Sequence, residues 1–79
     1  MKVLHAETVK GRGIVARVDA SEIPRGGLRV GILVHQGELA WKLVGVSTPR
    51  PPPPQGQVDL LLRPDGQHEL VPATGALLL

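Results

Sequence analysis

The sequence predicts an all-β fold, a small closed or nearly closed antiparallel β-barrel of about six strands, and three observations carry that prediction. Short runs rich in Val, Leu and Ile alternate with polar residues and are separated by Gly, Pro, Asp and Ser turns. No window of the chain repeats apolar residues at helical spacing without a β-branched run, a Gly or a Pro interrupting it. The 79 residues include no cysteine, so packing and a sheet with few exposed edges must supply the stability.

The first strand is expected over residues 3–9, with Val3, His5, Glu7 and Val9 on one side and Leu4, Ala6 and Thr8 on the other. After Gly11-Arg12-Gly13, the second runs over 14–18, where Ile14, Ala16 and Val18 alternate with Val15 and Arg17. Pro24-Arg25-Gly26-Gly27 then turns the chain into a third strand, in which Leu28, Val30, Ile32 and Val34 form a one-sided stripe facing the interior. Gly31 within that stripe invites a bulge or a close backbone contact. The turn 35–38 leads into a strand over 39–46, in which Leu39, Trp41 and Leu43 oppose Ala40, Lys42 and Val44, so either Trp41 or Val44 faces outward. Pro64-Asp65-Gly66-Gln67 reads as a hairpin turn between a strand over 58–62 and one over 68–71, and a last apolar run follows at 76–79.

Residues 1–79 read as one domain, since a chain of this length buries only about 60 to 65% of its unfolded surface. Residues 47–56 interrupt the pattern. Pro51 to Pro54 cannot donate to a ladder and hold a stiff polyproline II segment, either a rigid connector or, through Pro49, Arg50 and Pro52, a PxxP-like ligand. Mean hydropathy is +0.07 and Trp41 is the only aromatic, so the core is aliphatic and the composition is that of a soluble globule. The first residues carry no apolar run of signal-peptide length, which makes the cytoplasm the expected compartment and a membrane an unexpected partner.

Catalysis is not expected. His5, His35 and His68 lack metal-ligand spacing, and Thr8, Ser21, Ser47, Thr48 and Thr74 lie at strand ends or turns, where hydroxyls cap backbone groups. The carboxylates are dispersed, and neither a metal nor a cofactor site is read from the residues. No Gly-x-x-x-x-Gly-Lys-Ser/Thr loop occurs, so nucleotide hydrolysis is not expected either.

Binding is the better class. The formal charge is +2 and the isoelectric point near 9.7. Lys10, Arg12, Arg17, Arg25 and Arg29 fall within twenty residues, with Lys42 further on. Such cations meet phosphates through charge-assisted hydrogen bonds. The aromatic platforms that stack single strands are missing, so structured RNA such as tRNA or rRNA, or a ribonucleoprotein, is the expected nucleic-acid partner. In the competing arrangement the arginines pair with Glu7, Asp19, Glu22 or Asp59 across strands. Trp41, if exposed, with Leu77, Leu78 and Leu79 would instead form an apolar patch for a protein partner or a homodimer.

Gly11-Arg12-Gly13-Ile14-Val15-Ala16-Arg17-Val18, Gly27-Leu28-Arg29-Val30-Gly31, Lys42-Leu43-Val44-Gly45-Val46, Gly56-Gln57-Val58-Asp59-Leu60 and Thr74-Gly75-Ala76-Leu77-Leu78 follow one another in an order and spacing that resembles domain 2 of elongation factor Tu and other translational GTPases. The resemblance covers nearly the whole chain and implies a translation-factor-type barrel standing without its GTP-binding domain. It implies that the second and third strands are neighbours, setting Arg17 and Arg29 on one wall. It also implies a surface that docks on other domains or contacts tRNA or ribosomal RNA. The chain departs from the pattern at Asp19-Ala20-Ser21-Glu22-Ile23 and at Ile32, where the family carries an acidic residue.

Overall fold

The computed structural model describes residues 1–23, 27–47 and 56–79. These form an all-β domain: β1 (Val3–Val9), β2 (Gly13–Asp19), a single 3-10 turn (Ala20–Glu22), β3 (Leu33–Gln36), β4 (Leu39–Ser47) and β5 (Gln57–Asp65). All five strands join one antiparallel sheet in the order β1-β2-β5-β4-β3. Five strands stand where about six were expected, and β1 and β3 are the sheet's two edges. No described helix is long and apolar enough to cross a membrane. The proline-rich loop and Arg25 lie outside the described residues, apart from Ser47 and Gly56 at the loop's ends.

The alternation read from β2 decides which side becomes the core. Ile14 lies opposite Leu62, Ala16 opposite Leu60 and Val18 opposite Val58, so one face of the β2–β5 pair is a continuous aliphatic surface. Val3, Val34, Trp41, Leu43 and Leu78 complete the buried cluster. Two register shifts adjust the faces. One between Val3 and His5 lets Val3 share the inner face with Ala6 and Thr8 rather than with His5, and one between Leu43 and Gly45 leaves Val44 half-buried at the irregularity. The choice between Trp41 and Val44 is thereby settled: Trp41 points inward and is fully buried.

Gly37, at φ +63°, opens the two-residue turn Gly37-Glu38 that joins β3 to β4. A glycine at the first central position suits the tight hairpin connections whose twist matches the strands.

Three expectations are corrected. The stripe over 28–34 is mostly not a strand: only Leu33 and Val34 belong to β3, Val30 is exposed, and Leu28 and Ile32 pack on the core from an irregular segment tied to β4 through Gly31 and Ile32 to Leu43. Gly31 at φ +100° turns the backbone out of the extended conformation at that point. The residues 68–71 form no strand. β5 runs on through Pro64 and Asp65, and the chain beyond is held by side chains, with the Trp41 indole Nε1 donating to the Leu70 carbonyl at 2.8 Å and Ala73 N donating to Gln36 Oε1 at 2.6 Å. Finally, β2 is flanked by β1 and β5, and β3 by β4, so Arg17 and Arg29 do not sit on neighbouring strands.

The C-terminal residues reach both sheet edges. Val3 N donates to the Ala76 carbonyl, Gly75 N to that of Val3 and Leu78 N to that of Met1, while His35 and Leu79 exchange both backbone hydrogen bonds. Leu78 is buried in the core between these contacts, whereas Leu77 and Leu79 are exposed.

Candidate functional site

The register places the cations of the strands, Arg17, Lys42 and Arg63, on the outer face, row by row. In one row His5 lies opposite Arg17, Arg17 opposite Asp59, and Asp59 opposite Ser47. Arg17 Nε donates to Asp59 Oδ1 at 2.9 Å and the guanidinium reaches Oδ2 at 3.4 Å. The hydrogen bond to Asp59 holds the Arg17 guanidinium above its ordinary pKa. Arg17 is therefore committed to a partner of the same sheet, the cross-strand pairing that competes with a phosphate role.

The next row is nearly apolar. Val15 lies opposite Leu61 and Leu61 opposite Gly45, where an added Cβ would stand 3.2 Å from Leu61 Cδ1. Gly45 thus leaves room for the Leu61 side chain on the outside of the sheet.

Beyond it, Lys42 on β4 lies directly opposite Arg63 on β5, with Leu33 on the other side of Lys42. Directly opposed residues have Cα atoms about 4.5–5.5 Å apart, so this is a like-charge cross-strand pair, an arrangement that destabilises a sheet in isolation. Both residues are exposed, and neither forms an ion pair among the described residues. Asp65, diagonal to Lys42, is the nearest carboxylate by register.

Lys10 and Arg12 occupy the turn between β1 and β2, closed by Arg12 N donating to the Val9 carbonyl at 3.0 Å. Because Ile14 lies opposite Leu62, this turn stands at the end of β5 that carries Arg63. The fold brings Lys10, Arg12 and Lys42 to one end of the sheet and adds Arg63. Arg29 lies apart, in the segment leading to β3, its carbonyl accepting from Ile32 N. Arg63 was not singled out from sequence. Alternation with Leu60 and Leu62 already turned it outward, but only the β4–β5 register sets it against Lys42.

Two depressions flank this end and the sheet's β3 edge. A cleft of about 360 Å³ is lined by Thr8, Ile14, Leu62, Arg63, Pro64 and Glu69. A groove of about 290 Å³ is formed by Met1, Leu28, Ile32, Leu33 and Leu79 over Val34 and Leu78. Trp41 and Leu78 are buried, so the apolar docking patch anticipated from Trp41 and the C-terminal leucines is reduced to Leu77 and Leu79, with Leu33 beside the groove.

Two further carboxylates serve the backbone. Asp19 Oδ1 accepts from Ser21 N at 2.9 Å and from Ser21 Oγ at 2.8 Å, which caps the 3-10 turn and holds the Asp19 carboxyl below its ordinary pKa. Glu22 Oε2 accepts from Lys2 N at 2.7 Å. Among the described residues no cluster of His, Asp or Glu has the geometry of a metal site.

The fold and this face define a class, a small all-β domain that presents, from one end of its sheet, cations with no ion-pair partner among the described residues. No protein-family model matches the chain, and comparison with curated proteins and with solved structures found no match.

Proposed function

We propose that the chain is a non-catalytic binding module on a nearly closed barrel of the translation-factor type, whose partner in the cytoplasm is structured RNA or a ribonucleoprotein. The observation that carries this reading is the Lys42–Arg63 pair: two exposed cations held opposite each other, close to Lys10 and Arg12. Their mutual repulsion is relieved when a phosphate lies between them, and release of condensed counterions adds to the affinity. The backbone hydrogen bonds from the C-terminal residues to Met1, Val3 and His35 support the barrel reading, because they join the two sheet edges through one segment.

The test is a fluorescence titration with bulk tRNA and ribosomal RNA at low and at physiological salt. Saturable binding is expected, weakening by about 0.7 to 0.9 log units per log unit of salt for each phosphate engaged. Changing Lys42 and Arg63 together to Glu is expected to lower affinity by at least about tenfold at low salt. Failure to bind at low salt would remove RNA as the partner.

A second reading, protein docking or homodimerisation, is favoured by the groove between Leu28, Ile32, Leu33 and Leu79, an apolar depression with exposed leucines at its rim. Such binding would be insensitive to salt, which separates the two readings.

A further inference from the structure

The edge strand β1 is paired along only part of its outer side. Its first residues are covered by the C-terminal segment, with Val3 N donating to the Ala76 carbonyl at 3.0 Å and Gly75 N to the Val3 carbonyl at 2.7 Å. Beyond that point the edge is bare among the described residues. Arg12 N donates to the Val9 carbonyl, so Val9 turns its backbone groups toward β2, and alternation along the antiparallel ladder does the same for Glu7 and His5. Ala6 and Thr8 therefore aim their N–H and C=O groups away from the sheet, and neither bonds to any other described segment. Thr8 is exposed and Ala6 half-buried. Such an edge is a template for a further strand.

We propose that this edge pairs with the same edge of a second copy of the chain, antiparallel, with Thr8 opposite Thr8 on a two-fold axis. Registers that match outward-aimed groups with one another place Ala6, Glu7 or Thr8 on the axis. With Ala6 there, Val9 of the second copy would fall beside Val3, where Gly75 and Ala76 already lie. With Glu7 there, the carboxylates of both copies would stand directly opposite, which destabilises a sheet. With Thr8 on the axis, Thr8 exchanges both backbone hydrogen bonds with its counterpart, and Ala6 does the same with Lys10 of the second copy.

The turn and the charges agree with this register. Gly11, at φ +83° in the third position of the turn that Arg12 N closes, makes a type II turn, which leaves Lys10 extended and able to continue the ladder. Glu7 then lies opposite Val9 and one step from Lys10 of the second copy. Within its own chain Glu7 has only the exposed His5 ring as an ion-pair partner, at 3.7 Å, and Lys10 has none among the described residues. The Glu7–Lys10 contact forms on both sides of the axis, and no like charges are set directly opposite. So short a ladder falls below the roughly 1,200 Å² of a stable interface, so the dimer is weak and reversible. Lys42 and Arg63 stand on other strands, so this pairing is independent of the RNA reading.

The experiment is sedimentation of the full chain, without RNA, from about 10 µM to about 1 mM, the range in which a weak dimer forms. The apparent mass is expected to rise from 8.4 kDa toward twice that value. Glu7→Lys should weaken association about fivefold, and Lys10→Glu in the same chain should restore it. Both positions are outside the buried core, and circular dichroism checks that each variant keeps the parent fold. The chain has no cysteine, so Thr8→Cys adds a single thiol. Its Cα would lie about 5.5 Å from its counterpart, within the span of a disulfide. Mild oxidation should therefore link the copies through Thr8→Cys and not through Ala6→Cys or Glu7→Cys. Preferential linkage through either of those overturns the Thr8-centred pairing. A dimer that neither links through Thr8→Cys nor responds to Glu7→Lys uses another surface and overturns the proposal, as does a chain that stays monomeric over the whole range.

Discussion

Arg17 and Asp59 face each other across β2 and β5 in a forked contact, Nε to Oδ1 at 2.9 Å and the guanidinium to Oδ2 at 3.4 Å, and the two partners are unequally buried. Asp59 is 8% exposed, the only buried charged residue of the described chain, whereas the Arg17 side chain keeps about a third of its surface. Removing the arginine leaves a carboxylate out of water without its counter-charge. Removing the carboxylate leaves an arginine that solvent can still reach.

Arg17→Met should therefore cost more than Asp59→Asn, about 2 kcal/mol against about 1 kcal/mol. In a domain of this size the larger loss lowers Tm by roughly 10 °C, which thermal unfolding followed by circular dichroism will measure. RNA affinity should change little in Arg17→Met.

Lys42 and Arg63 should behave in the opposite way. Replacing Lys42 with Gln removes a like-charge cross-strand contact and is expected to raise stability by a few tenths of a kcal/mol. The same change should weaken RNA binding and reduce the steepness of its salt dependence by about one phosphate. Denaturant titration and RNA titration on the same preparation read both effects.

Trp41 reports on the core directly. Trp41→Phe keeps most of the packing but leaves the Leu70 carbonyl without its indole donor, a loss of about 1 kcal/mol. It also removes the edge-on contact with the His68 ring, whose centroid lies 5.4 Å away. Trp41→Ala should cost about 3 to 5 kcal/mol, close to the whole stability of so small a domain. In the parent chain Trp41 fluorescence should be shielded from soluble quenchers, since the side chain is fully buried.

The acid limb of the stability profile should owe part of its slope to Asp19. Its folded pKa lies below the ordinary carboxylate value because Ser21 donates two hydrogen bonds to it. The stabilisation is therefore present above that ordinary value, near 3.8, and is lost as pH falls through the lower folded pKa. Asp19→Asn, which can still cap the turn, should flatten the profile below about pH 4. Arg17 contributes no slope in this range: its pKa is raised by the hydrogen bond to Asp59, so the stabilisation is complete below the ordinary arginine value and is lost only as pH rises through the still higher folded one.

Leu78 is the test of the C-terminal segment. Leu78→Ala should cost about 2 to 5 kcal/mol by opening a cavity where the segment enters the core. Leu77→Ala, on an exposed neighbour, should stay within about 0.5 kcal/mol of the parent in the same unfolding measurement.

Local pattern determined a good part of this protein. The alternation of Val, Ile and Ala in 14–18 chose the buried face of β2, the limits of β1 coincide with the run over 3–9, and the pair Gly37-Glu38 makes its hairpin where turn chemistry predicts. These features depend on φ preference and on a period of two, which a few adjacent residues specify. The rest required partners distant in sequence. Residues 28–32 carry a strand's pattern yet reach β4 only through the bonds of Gly31 and Ile32 to Leu43, and residues 68–71 are held by the Trp41 indole, an interaction that no local propensity encodes. The same holds for the candidate site. The strand cations could be turned outward by alternation, but that Arg17 would be paired with Asp59, and that Lys42 would meet Arg63, follows from the β2–β5 and β4–β5 registers, which burial of the whole aliphatic face selects.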